Sequence, residues 1–200
     1  MTAPDRGQRP STRSDEVLDA AELRFAGAGI RALVMSELAR SLGMSTKTLY
    51  RLFPSKESVV EAVLRRWADG FLDAQSRRLD GEMSVQELVR TAAHALVSHR
   101  RRFSDEFWSE LRAEHPGALS IYTSTLAEAR RRADVRMSRA RRTGIEPRLA
   151  RAALTNLVEL AQRPDVLEAS GLDAATAIDQ VVAIWARGVF VDPDEPPPRA

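Results

Sequence analysis

The sequence predicts an all-α protein of about nine helices. Apolar residues recur at spacings of three and four along almost the whole chain, and runs of alternating β-branched residues are nearly absent. Glycines, prolines and capping residues divide this pattern into segments of helical length. With 200 residues the chain can bury a substantial core without a disulfide or a structural metal.

The first helix is expected over residues 14–26, ending at Gly27 and Gly29. Its buried positions should be apolar residues at helical spacing, namely Val17, Leu18, Ala21 and Phe25. The second helix should follow over about residues 34–42.

A tight turn and a short helix come next. Gly43 can adopt a positive φ without steric cost, and the Ser45 hydroxyl can cap a third helix over residues 46–53. Ala39 is small enough for the two helices to cross closely, with apolar contacts from Val34, Leu38 and Leu49. The sequence therefore predicts a helix-turn-helix over about residues 34–53.

Longer helices make up the rest of the chain. Pro54 ends the third helix, and Ser55 can cap a fourth over residues 55–80. Four more boundaries are predicted from capping or helix-stopping residues. These are a Ser84–Glu87 capping box before helix five, Pro116–Gly117 between helix six and a seventh helix over 118–144, Pro147 opening an eighth helix to about 161, and Asp173 capping a ninth.

The third helix offers polar side chains suited to reading DNA. Hydroxyls and cations at the start of a recognition helix can reach base edges and phosphates in a major groove. Lys56 lies in the first turn of helix four, where free backbone N–H groups already favour a phosphate. The candidate DNA-binding residues are Ser45, Thr46, Lys47, Thr48, Tyr50, Arg51 and Lys56.

These residues lie within a longer pattern that resembles the tetracycline-repressor (TetR/AcrR) family of transcriptional regulators. The similarity covers about residues 11–71. One departure is Leu33, which stands where we expect the family's capping Thr or Ser at the start of helix two. The matching positions are Ala20-Ala21, Phe25 with Gly29, Ala39 with Gly43, Thr48-Leu49-Tyr50 with Phe53, and Lys56-Glu57.

The resemblance implies a ligand-released repressor that binds a palindromic operator as a homodimer. The last two helices, the eighth and ninth, would form the dimer interface, and the middle helices would enclose a pocket for a small-molecule effector.

The predicted divisions are a flexible basic arm (1–13), the DNA-binding domain (14–54) joined by helix four, an effector-binding and dimerisation domain (81–191), and a disordered tail (192–200).

Aromatic residues in the middle helices are candidates for the pocket lining, because aromatic walls with few polar groups hold small apolar ligands. At helical spacing, however, such aromatic residues are more often plain core. They are Phe71, Phe103, Phe107, Trp108 and Tyr122.

Other basic and titratable residues carry weaker signals. The arginines of the N-terminal arm could reach DNA or belong to an uninvolved tail. Runs at 100–102 and 130–132 are interleaved with acidic residues and fit a solvated helix face. His94 and His99 point about 140° apart on one helix, and His115 is isolated in sequence, so no metal site is expected.

Other functional classes fit less well. Cysteine is absent, which excludes thiol nucleophiles and Cys-type zinc sites, and no phosphate-binding loop or hydrolase motif occurs, so neither an enzyme nor a cofactor is expected. No signal peptide or membrane-spanning run is evident, and a cytoplasmic location is expected. A transcriptional activator and a helical interaction module without ligand sensing remain alternatives.

Overall fold

The computed structural model describes residues 12–79, 84–137 and 145–189, and every regular element in these ranges is a helix. The all-α prediction is confirmed. In chain order the helices are α1 (Arg13–Ala28), α2 (Met35–Ser41), α3 (Thr46–Leu52), α4 (Lys56–Leu79), α5 (Val85–Arg100), α6 (Asp105–Glu114), α7 (Pro116–Met137), α8 (Pro147–Leu160), α9 (Pro164–Ser170) and α10 (Ala174–Val189). The predicted tail and most of the predicted arm lie outside the described residues.

The described ranges contain ten helices, so the prediction of about nine missed one. The additional helix is α9, which spans only seven residues and begins without a side-chain cap. Helices α2 and α3 are equally short, but the glycine turn and the Ser45 cap mark them in the sequence, whereas no capping side chain marks α9. It ends at Gly171, whose φ of 67° is left-handed.

Helix α1 begins and ends slightly beyond its predicted bounds. Thr12 caps it, because its hydroxyl accepts from the Asp15 N–H at 3.2 Å while the Asp15 carboxylate accepts from the Thr12 N–H at 3.0 Å. Arg13, assigned to the arm, is therefore the first helical residue. At the other end the helix continues through Gly27 and stops at Gly29, where φ is 78°.

The chain forms two compact units, and α4 and α7 each contribute to both. The first unit holds the described residues up to Phe71 together with Arg101–Leu126. Its core joins α1–α3 to α6 and to the first parts of α4 and α7. The largest fully buried side chains of this core are Phe25, Phe107, Ile30, Leu33, Leu38, Leu49, Leu64 and Leu111.

The second unit is built from α5, α8, α9 and α10, with the C-terminal parts of α4 and α7. The Ser84–Glu87 capping box that opens α5 is confirmed. Trp185 of α10 donates its indole N–H to the Ala150 carbonyl of α8 at 2.7 Å. Because Trp185 is itself buried, this bond fixes how α8 and α10 pack.

Candidate DNA-binding surface

The turn between α2 and α3 has the predicted helix-turn-helix geometry. Gly43 has a φ of 62°, and a Cβ there would meet no other atom within 4 Å, so its backbone conformation is what favours glycine. The Met44 N–H donates to the Ala39 carbonyl at 3.0 Å and closes the turn. Leu38, Ala39 and Leu49 are buried between the two helices, as expected.

The start of α2 differs from the prediction by one residue. Val34 occupies the capping position, is 44% exposed and is not among the side chains packed in the core, so it does not supply the expected contact between the helices. Met35 is buried on α2 instead, and Leu33 is buried in the core. The departure from a capping hydroxyl therefore falls on Val34, not on Leu33, and no side chain caps α2.

Ser45 caps α3 through its hydroxyl, which accepts from the Thr48 backbone N–H at 3.1 Å. The Ser45 and Thr48 hydroxyl oxygens also lie 2.9 Å apart and share a hydrogen bond. Both hydroxyls are thus engaged in holding the first turn of α3. Because both hydroxyls already form these hydrogen bonds, only their remaining hydrogen-bonding capacity is available for contacts with DNA bases.

Four predicted side chains share the exposed face of α3. Thr46, Lys47, Tyr50 and Arg51 are all exposed, while Leu49 on the opposite side is fully buried. At 100° per residue these four positions fall within an arc of 140°. One face of α3 therefore presents two cations, a phenol and a hydroxyl to solvent.

Lys56 lies in the first turn of α4, as predicted, but its ammonium group has an internal partner. Its Nζ donates to the Arg31 carbonyl at 3.1 Å. Partial burial lowers the pKa of Lys56 below its ordinary value. The side chain thus lies against the loop between α1 and α2, next to the α4 N-terminus.

The same loop contains a cluster that sequence reasoning missed. The backbone N–H groups of Ile30 and Arg31 donate to one carboxylate oxygen of Glu110 at 2.6 and 2.9 Å. Arg31 also pairs with Glu114, and this hydrogen bond raises the pKa of Arg31 and lowers that of Glu114. Helix α6 is therefore tied directly to the loop that leads into the helix-turn-helix.

The five candidate pocket residues come together in the first unit. Phe103 and Phe107 stack with ring centroids 4.3 Å apart, and Trp108 lies 4.9 Å from Tyr122. The cluster extends to α1 through Phe25 and to α4 through a further tryptophan, Trp67, which stacks on Phe71. Phe103, Phe107 and Trp108 are buried core, while Phe71 and Tyr122 are half-buried.

His94 and His115 each have a carboxylate partner. His94 contacts Asp179 at 2.6 Å, and His115, isolated in sequence, contacts Glu57 of α4. Within the described ranges no three potential ligands group together around a metal position. None of the helices described combines the length and apolar character needed to cross a membrane.

The sequence is similar to those of known bacterial regulatory proteins. Residues 17–63 match the family described as bacterial regulatory proteins, tetR family. Over 101 residues the chain is 35% identical to the HTH-type transcriptional repressor KstR2 of Mycolicibacterium smegmatis, covering 49% of each protein. The chain therefore spans about half the length of the curated relatives it matches.

Solved structures agree over more of the chain. A transcriptional regulator from Saccharomonospora viridis in complex with choline superposes with a TM-score of 0.67 at 17% identity, covering 90% of this chain and 98% of that one. SmeT, repressor of the Stenotrophomonas maltophilia multidrug efflux pump SmeDEF, gives 0.61 at 18% identity, covering 94% and 96%. At these identities the likeness concerns the fold.

Proposed function

We propose that this chain, which belongs to the tetR family of bacterial regulatory proteins, is a transcriptional repressor that binds a palindromic operator as a homodimer and releases it when a small molecule binds. The observation that carries the proposal is the exposed arc of Thr46, Lys47, Tyr50 and Arg51 on α3. A capped, glycine-turned helix with its apolar side buried and its cationic side exposed is suited to entering a major groove.

Each residue of this surface has a distinct role in the proposal. Lys47 and Arg51 supply charge for phosphates or guanine edges, and Thr46 can hydrogen-bond either. Tyr50 and Lys56 bind the phosphate backbone of the DNA. Lys56 reaches a phosphate beside the α4 N-terminus by exchanging its hydrogen bond to Arg31 for a charged partner.

Homodimerisation is supported by apolar side chains left exposed on the last long helices. Leu149 of α8 is 70% exposed and Ile184 of α10 is 66% exposed. The eighth and ninth helices predicted from the sequence correspond to α8 and α10, because the short α9 lies between them along the chain. We therefore assign the dimer interface to α8 and α10. A two-fold dimer would present two α3 helices to half-sites about one DNA turn apart.

Effector release is supported by the position of the aromatic cluster. Phe25 and Trp67 join it to α1 and α4, and Glu110 joins α6 to the loop before α2. A small molecule inserted among these rings would displace the helices that hold α3. Choline bound to the S. viridis regulator gives a precedent for a small ligand in this fold. Release requires tighter binding to the non-DNA-binding state.

The experiment is a titration onto the DNA upstream of the protein's own gene, with an unrelated duplex as reference and several salt concentrations. Lys47→Ala and Tyr50→Ala should each weaken operator binding at least about tenfold. Arg90→Ala removes an exposed arginine from α5 and should leave binding unchanged. Equal weak binding of both duplexes by all proteins would contradict sequence-specific repression at that site.

A further inference from the structure

A strongly basic segment of the sequence begins in the C-terminal part of α7 and ends in α8. From Arg130 to Arg151 the sequence holds nine arginines and only two acidic residues, Asp134 and Glu146, a net charge of +7 in a chain whose total is +2. Arginines at three of these positions fall in 138–144, outside the described residues, and are counted from the sequence alone. Arg131 and Arg132 pair with Glu128, as expected of a solvated helix face, whereas the ion pairs of the described residues do not balance Arg130 and Arg148 in this way.

Part of this charge converges on one concave site. A cleft of about 340 Å³ lies between the C-terminal half of α7 and the outer side of α8. Five of its six lining residues have polar or charged side chains, and the sixth is an alanine. The lining residues are Arg130, Arg148, Arg151, Ala152, Thr155 and Asn156.

Only one of the three lining arginines is neutralised by a described residue. Arg151 Nη2 lies 2.9 and 2.7 Å from the two carboxylate oxygens of Asp134, which fixes the guanidinium in place. Arg130 and Arg148 have no carboxylate partner in the part of the chain that the structure describes. Bringing like charges together costs free energy unless an anion offsets it.

We propose that this cleft binds a small organic phosphate. Guanidinium groups match phosphate oxygens with paired hydrogen bonds, and Thr155 and Asn156 add neutral hydrogen-bonding groups beside them. The volume suits a ligand of small-molecule size and is too small to admit a DNA duplex. The cleft residues belong to the second unit, whereas α3 and the aromatic cluster belong to the first, and the proposal does not depend on the proposed repressor function.

Pyrophosphate is the probe that tests the site. Isothermal titration calorimetry of the full chain with pyrophosphate should show saturable binding. A titration with chloride at equal ionic strength is the reference. The double variant Arg130→Gln/Arg148→Gln should weaken binding at least about tenfold, because two charged hydrogen-bond donors are lost. The matched variant Arg90→Gln/Arg163→Gln removes the same charge elsewhere in the second unit and should bind like the wild type.

Three results would overturn the proposal. Pyrophosphate could fail to bind at millimolar concentration, or could bind equally well to both double variants. Alternatively, a DNA duplex of random sequence could displace pyrophosphate from the double variant Lys47→Ala/Tyr50→Ala, in which the α3 surface is altered. That result would show that the cleft arginines bind nucleic acid instead. Circular dichroism of each variant establishes that it is folded, so a lost signal reports the site.

Discussion

The carboxylate of Glu110, on α6, accepts the backbone N–H of Ile30 at 2.6 Å, although 80 residues separate the two in sequence. The same oxygen accepts the next N–H, from Arg31. Glu110 is only 12% exposed, so these are sheltered charge-assisted hydrogen bonds. They fix the loop between α1 and α2 and thereby the entry to the helix-turn-helix.

Removing this carboxylate should destabilise the first unit. In Glu110→Ala, two loop N–H groups lose their partner, and the free energy of unfolding should fall by about 1–3 kcal/mol. Urea denaturation followed by circular dichroism measures the loss. Glu106→Ala, an exposed change on the same helix, is the control and should stay within about 0.5 kcal/mol of wild type. Equal effects of the two substitutions would contradict the bridging role of Glu110.

Gly29 should be far less replaceable than Gly27. An added Cβ at Gly29 would lie 2.8 Å from the Glu110 carboxylate, in a residue whose φ is already left-handed. Gly29→Ala should therefore cost about 1–3 kcal/mol. Gly27 is helical with open space around it, so Gly27→Ala should stabilise by about 0.5–1 kcal/mol. Thermal melts measure whether each substitution lowers or raises stability. A Gly29→Ala variant as stable as the wild type would show that the loop can adopt another backbone conformation.

Local and long-range features differed in how far the sequence could predict them. The Gly43 turn and the Ser45 cap depend on neighbours within a few residues, and both were predictable. The Glu110 bridge joins distant segments, and no local pattern signals it. Helix α9 is short and has no capping side chain to mark its start, and the start of α2 was misplaced because Leu33 and Val34 are both apolar and only packing decides which is buried.

Ser45 and Thr46 should separate folding from DNA contact. Ser45→Ala removes the α3 cap, so it should lower the free energy of unfolding by about 1 kcal/mol and also weaken operator binding. Thr46 is exposed and forms no cap, so Thr46→Ala should weaken operator binding with little change in stability. Paired urea and DNA titrations distinguish the two. Loss of stability in Thr46→Ala would assign that residue a structural role instead.

The Arg31–Glu114 pair predicts a specific dependence of stability on pH. The hydrogen bond from Arg31 lowers the pKa of Glu114 in the folded chain. The stabilisation it provides is therefore complete above the unfolded pKa of about 4.3 and is lost as pH falls through the folded value. The difference in urea midpoint between wild type and Glu114→Gln should be present at neutral pH and shrink in acid. Glu106→Gln should show no such change, and a pH-independent difference would contradict the pairing.

Exposed apolar residues on two helices should decide the oligomeric state. Leu149→Glu or Ile184→Glu would place a charge inside the proposed α8–α10 interface, where an unpaired carboxylate is costly, and should yield monomers by light scattering. Monomers present a single α3 helix, so operator affinity should fall sharply, because two half-sites no longer bind together. Leu23 on α1 is 77% exposed but lies in the other unit, which makes Leu23→Glu the matched control. Dimers that persist in both interface variants would place the contact on another surface.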